Sequence, residues 1–173
     1  AMRSRQALRA ANVQGLARGA AYLPRLREKF AAAGLPTSLA LLPLIESSFR
    51  ADANERGGGG RGLWQLLPGT ARRFGLVVRG DRDDRLHPER STEAAARYLG
   101  LLYAHYGDWA LALAAYNAGP QRVDRALGAH PGATFWELAD RGTLPETSCN
   151  FVPHFLALVR MTDGAEVCID AGT

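Results

Sequence analysis

Proton transfer beside a polyol needs a carboxyl group, fixed amides and hydroxyls, and aromatic faces, and three short stretches of this chain collect them. Glu46 ends the most apolar run, Leu39 to Ile45, one turn after Leu42 and Pro43 and one turn before Phe49. Burial disfavours the ionised carboxylate and raises its pKa, the condition of a general acid near neutral pH. From periodicity alone the position better suits a glutamate that emerges into solvent at a helix end or pairs with Arg50. Gly62-Leu63-Trp64-Gln65 follows a glycine break at Gly57 to Gly60, and Ala115-Tyr116-Asn117-Ala118-Gly119 closes a helix. Amide and phenol groups beside aromatic rings can fix sugar hydroxyl and acetamido groups while a pyranose face packs on the rings. Taken singly, Trp64 reads as core, Gln65 as a surface amide and Asn117 as a helix C-cap.

Other chemistries lack their residues. Gly57, Gly59 and Gly62 fit G-x-G-x-x-G in form, but the preceding Ala-Asp-Ala-Asn-Glu-Arg is no strand and Pro68 follows too closely for a dinucleotide-binding helix. His87, His105, His130 and His154 lie far apart in sequence, with no H-E-x-x-H and no C-x-x-C, so no metal site and no cofactor is expected. Cys149 and His154 have no third group to make a thiol catalyst. Cys149 and Cys168 would close a stabilising loop in an oxidising compartment and be small hydrophobes in a reducing one, and spacing leaves both open.

These residues sit in a chain of 173, 47% hydrophobic and 22% charged. That is enough for one domain with a sizeable core, and it excludes disorder, collagen-like repetition and a miniprotein held by disulfides alone. The net charge is +4 and the sequence pI about 9.5, carried by arginine because Lys29 is the only lysine. A basic sum suits an anionic polymer, nucleic acid or cell-wall glycan. Between Arg79 and Arg85, however, Asp81, Asp83 and Asp84 interleave with Arg82 and Arg85, so charge is answered locally and nucleic acid is not the expected partner. No run is long and apolar enough to span a bilayer, and the first residues show no intact secretory signal.

Helix punctuation recurs throughout and strand-length alternation is nearly absent, which predicts a mostly α fold. Helices are expected over Arg18 to Ala33, stopped by Gly34, and from a Thr37 or Ser38 cap to about Phe49. A short one follows from Pro68 to Gly75. Others run from a Ser91 or Thr92 cap to Gly107, from Asp108 to Tyr116, from Pro120 through Leu127, from a Thr134–Glu137 capping box, and over Phe155 to Met161. One domain is expected, with residues 1–33 a helical segment packed on residues 34–173.

Taken together, Glu46-Ser47-Ser48-Phe49, then Gly62 to Ala71, then Ala114 to Pro120 resemble the three ordered signatures of the lytic transglycosylases. The resemblance runs from about Gly34 to Val123 and more loosely to Met161. It is strongest to the membrane-bound lytic murein transglycosylase D type, which shares a lysozyme-like, mostly helical catalytic domain with the soluble transglycosylases and goose-type lysozyme. It implies that Glu46 is the sole catalytic acid/base. As acid it protonates the oxygen between N-acetylmuramic acid and N-acetylglucosamine. As base it takes the proton of the muramyl 6-hydroxyl, which closes on C1 to leave a 1,6-anhydro end. The substrate's own acetamido group replaces the second carboxylate, and Asp52 and Glu55 have no motif recruiting them.

The resemblance also implies that Gln65 and Tyr116 contact substrate or orient Glu46, that Asn117 supports the site, that Ser47 packs beside the acid, and that Trp64 and Leu67 line the groove. Departures are visible. The interval from Glu46 to Gly62 is one residue longer than is usual in the family, and the customary serine before the glycines is replaced within Asn54 to Arg56. Phe151 stands where a tyrosine is expected and cannot donate a hydrogen bond to Glu46, and Glu146, in the displaced Glu-Thr pair, is the remaining binding candidate. The implied partner is peptidoglycan, the location the periplasm or outer envelope, and the state a monomer. A lysozyme using water, or a glycan-binding scaffold without catalysis, are the competing outcomes.

Overall fold

Two features of the N-terminal third set the framework: glycines that let helices touch, and prolines that decide where helices restart. The structure, a computed structural model, describes residues 2–54 and 59–162, with side chains from Ala10 onward. Helix α1 (Met2–Gly19) turns at Gly19, and α2 (Leu23–Ala32) restarts with Pro24 in its first turn. The single helix expected over Arg18 to Ala33 is therefore two, because Pro24 lacks the N–H that a continuous helix would need there. Leu26 and Phe30 bury one face of α2.

The helix expected from Thr37 to Phe49 is also shorter and divided. A 3₁₀ turn (Thr37–Leu41) precedes α3 (Leu42–Glu46), and Pro36, not Thr37 or Ser38, occupies the cap position. Pro43 has no N–H for the Leu39 carbonyl, so the α ladder starts only around it. Leu39 to Leu44 are all buried, as their apolar composition demands.

Downstream, α4 (Pro68–Arg73) opens on proline and is followed by Phe74 and Gly75. Strand β1 (Val78–Arg79) pairs antiparallel with β2 (Arg82–Asp83), Val78 opposite Asp83. This hairpin was not anticipated, since two residues per strand leave no alternation to detect. A 3₁₀ turn (Asp84–Leu86) leads to α5 (Pro88–Tyr106). That helix opens at Pro88, ahead of the expected Ser91 or Thr92 cap. Ser91 Oγ instead donates back to His87 O at 2.8 Å and Thr92 Oγ1 to Pro88 O at 2.6 Å.

The chain divides into two compact units, one up to Tyr98 and one from Leu99. In the second, α6 (Trp109–Ala118) is buried from Trp109 through Ala115 and packs against α7 (Pro120–Ala129), α8 (Phe135–Asp140) and α9 (Glu146–Thr162). Asp108 caps α6 by accepting from Leu111 N at 2.7 Å, and Thr134 with Glu137 forms the full capping box. Helix α9 begins nine residues before the expected Phe155 and carries Pro153 in its interior, where proline ordinarily marks a boundary. No helix among the described residues is long and apolar enough to cross a membrane.

Candidate active site

Glu46 is the last residue of α3 and is half-buried at the edge of the apolar block that precedes it. The chain then reverses sharply. Ser47 N and Phe49 N both donate to Pro43 O at 3.0 Å, and Ser48 and Phe49 take φ of 51° and 57°. Left-handed backbone at two successive side-chain-bearing residues costs on the order of 1–3 kcal/mol each and persists only where surroundings over-determine it. Here those surroundings are visible. Phe49 is 1% exposed, and its ring fits against Gly19 so closely that a Cβ there would lie 2.6 Å from it. Gly15, one turn earlier on α1, similarly leaves room for Leu44. Arg18 Nε, between them, donates to Ser48 O at 2.9 Å. The first helix is thus a buttress for the turn that carries the carboxyl group.

The second stretch is joined to the first by one buried side chain. Ser47 Oγ lies 3.1 Å from Pro43 O and 3.0 Å from Leu63 O, within hydrogen-bond reach of both, so the Glu46 turn and the Gly62–Gln65 turn are held as a unit. Gly62 has φ of 75°, and a Cβ on it would run into Arg85 O, so glycine is required twice over. Trp64 is fully buried, 5.5 Å from the Phe30 ring centroid, and its Nε1 donates to Thr92 Oγ1 at 2.9 Å. The indole expected along a groove is therefore enclosed in the core, where its N–H finds the partner that burial requires. Gln65 is half-buried at φ 47°, and its Nε2 donates to Gly62 O at 2.8 Å and more weakly to Ala53 O at 3.4 Å. Its amide nitrogen secures the loop and leaves Oε1 as the group to offer a ligand. Leu67, 50% exposed, presents apolar surface just beyond. Asp52 is exposed, and Glu55, Gly57 and Gly58 lie outside the described residues.

The sequence shows the interleaved charges near this loop but not which of them are buried. Arg85 is 5% exposed and pairs with Asp83 at 2.7 Å, while Arg61 reaches the same carboxylate at 3.0 Å. Hydrogen bonding to Arg85, above all, lowers the Asp83 pKa to about 2. Asp84 is likewise held well below the usual carboxylate range, first by Arg82 and then by Val77 N and Arg90. The interleaved charges are indeed answered locally, by a network in which Asp83, Asp84 and Arg85 are largely buried and Arg61, Arg82 and Arg90 reach in from the surface, and the two-residue spacing from Asp83 to Arg85 was the available signal.

In the second unit, Tyr116 is half-buried and Asn117 exposed at the end of α6. Gly119, at φ 87°, ends that helix and Pro120 opens the next. Ser148, wholly buried on α9, donates through Oγ to Asn117 Oδ1 at 2.8 Å. Asn117 is thereby fixed side chain to side chain and is more than a cap. Glu146 is exposed in the first turn of α9, and Phe151 is buried in its middle. Burial raises the Cys149 thiol pKa and lowers that of His154, the reverse of what a thiolate–imidazolium catalyst needs. Cys168, the other half of the possible disulfide, lies outside the described residues. Among the described residues no three His, Cys, Asp or Glu side chains gather as a metal site.

A mostly helical chain with its backbone strain gathered around one glutamate turn and the glutamine turn tied to it has the lysozyme-like architecture of the lytic transglycosylases. The model of the transglycosylase SLT domain matches residues 18–138, and the chain belongs to that family. It is 36% identical over 129 residues to membrane-bound lytic murein transglycosylase D of Escherichia coli K12, covering 72% of this chain and 27% of that protein. Among solved structures it resembles lytic transglycosylase Slt of Pseudomonas aeruginosa, solved as an inactive glutamate-to-glutamine mutant. That match has 28% identity and a TM-score of 0.70 over 86% of this chain and 25% of the other. The 70 kDa soluble lytic transglycosylase of E. coli matches at 25% identity and a TM-score of 0.67, over 82% and 24%. The chain spans about a quarter of the length of these relatives.

Proposed function

We propose that this chain is a peptidoglycan lytic transglycosylase with Glu46 as its single acid/base. The observation that carries the reading is the union of the Glu46 turn with the Gly62–Gln65 turn through Ser47. The half-buried Glu46 ends the one turn, and Gln65, its amide nitrogen spent on Gly62 O, ends the other. Glu46 in its acid form gives a proton to the oxygen joining C1 of N-acetylmuramic acid to O4 of N-acetylglucosamine, and the C1–O bond breaks. The acetamido oxygen of the same muramyl residue stabilises the positive charge at C1. Glu46, now a carboxylate, takes the proton of the 6-hydroxyl as O6 bonds to C1, which restores the acid and consumes no water.

In this reading Gln65, Leu67, Tyr116 and Asn117 contact or frame the glycan, with Glu146 a further binding residue. Ser47 and Trp64 act indirectly, by holding the turns. The family match crosses both units, which supports treating residues 34–173 and the helical segment before them as one working domain. The substrate places the protein in the periplasm or outer envelope, acting as a monomer on glycan strands. Inactivity of the P. aeruginosa relative's glutamate-to-glutamine form supports a glutamate as a group essential to activity.

Mass spectrometry of muropeptides released from purified sacculi tests the reading. Products one water lighter than hydrolysis products, absent with Glu46→Gln, are expected. Reducing ends from the wild type mean that water is the acceptor and the protein is a lysozyme. No release at all leaves a glycan-binding scaffold.

A further inference from the structure

Gln65 adopts a backbone conformation that a glutamine does not choose, so something outside it must impose that conformation. The contacts converge on Arg85. Its Nη1 donates to Gly59 O at 2.7 Å and to Leu66 O at 3.0 Å, spanning the loop on both sides of Gln65. Its own carbonyl oxygen fills the space where Gly62 has no side chain. Gly62 O in turn accepts the Gln65 amide at 2.8 Å. The guanidinium cannot drift, because Nε and Nη2 grip the two oxygens of Asp83 at 2.8 and 2.7 Å and Asp83 also accepts Arg85 N at 3.2 Å.

From this geometry we propose that Arg85, oriented by Asp83, is a positioning residue that sets the Gly59–Leu66 loop and so aims the Gln65 side chain for its part in the reaction. The proposal rests on the transglycosylase reading for its consequence in activity, though not for its consequence in loop geometry. A planar fork is needed because one group must satisfy a carboxylate side-on and two carbonyls at its far end. A lysine ammonium keeps the charge but cannot span both.

The test compares Arg85→Lys, Gln65→Ala and the double variant, with Asp83→Asn as a near-isosteric second route should Arg85→Lys fail to fold. The readouts are kcat/KM on sacculi and the side-chain amide resonances of Gln65, assigned by their loss in Gln65→Ala. A displaced catalytic-site group can cost up to about 100-fold, so Arg85→Lys is expected to lower kcat/KM by about tenfold or more and to shift or exchange-broaden the Gln65 amide. In the Gln65→Ala background the same change is expected to cost less than about twofold, since residues acting through one another are not additive. Fully additive losses, or an unmoved Gln65 amide in both Arg85→Lys and Asp83→Asn, would overturn the proposal. If the wild type releases no muropeptides, the transglycosylase reading fails while the amide resonances still decide whether Arg85 sets the loop.

Discussion

The two units solve the problem of presenting a side chain in opposite ways. In the first, Glu46 and Gln65 sit at turns where Ser48, Phe49 and Gln65 are forced into left-handed backbone, and buried polar groups hold those turns in place. In the second, the positive-φ positions given for the described residues are all glycines, and Tyr116 and Asn117 are offered by an ordinary helix end with an alanine-rich, buried body behind it. A group that must give and recover a proton needs its direction fixed against relaxation. On the proposed function Tyr116 and Asn117 only frame the glycan, a role that tolerates a softer mount. Both units are well packed, and the first adds backbone strain at its turns.

The contrast can be broken most directly at the carboxyl. Glu46→Gln is expected to lower turnover by about 10²–10⁴-fold, the range for loss of a positioned acid/base, with little change in thermal midpoint. Tyr116→Phe should cost far less in turnover, and equal losses would erase the distinction between the units. Next in size is Gly62→Ala, which meets both the positive φ and the Arg85 carbonyl. A loss of about 3 kcal/mol or more in denaturant unfolding is expected, whereas Gly128→Ala, in a helix with open space around it, should be neutral or stabilising.

Two serines offer a matched pair. Ser47→Ala leaves the buried turns without their link and is expected to lose about 1–3 kcal/mol together with a fall in kcat. Ser148→Ala removes one hydrogen bond to Asn117, with about 1 kcal/mol lost and an effect confined to KM. Acid adds a further handle. The folded-state pKa of Asp83, about 2, lies below an unfolded value near 3.9. Its contribution is therefore complete above about pH 4 and lost as pH falls through about 2. Urea midpoints measured across that window should fall more steeply for the wild type than for Asp83→Asn. Smallest, and of opposite sign, Ser48→Gly should stabilise by up to about 1 kcal/mol by relieving φ 51°, and a lower kcat alongside would show that the strain serves the site.

Much of the second unit was legible because its signals are local. Asp108, the Thr134–Glu137 box, Pro120 and Gly119 each act within a few residues, and all do in the structure what their types predict. The first unit was legible in its candidate residues and less so in its shape. Glu46 and Gln65 were visible as residues, yet no propensity places serine, phenylalanine and glutamine in the left-handed region. Contacts from α1 and from Arg85, distant in sequence, put them there. Trp64 was ambiguous for the same reason, since only the tertiary neighbours Phe30 and Thr92 decide that the indole is enclosed. The early start of α9 was not legible either, since the helix runs through Pro153, a residue that local rules treat as a stop.

One consequence concerns engineering. The recognisable signatures begin after Gly34, so a minimal enzyme excised from sequence motifs alone would start there. Such a fragment would discard Gly15, Arg18 and Gly19, the three residues on which Leu44, Ser48 and Phe49 lean. Its glutamate turn would keep the link through Ser47 but lose the outer support of the first helix. Any portable version for grafting, fusion or display has to carry the leading helix as part of the catalyst.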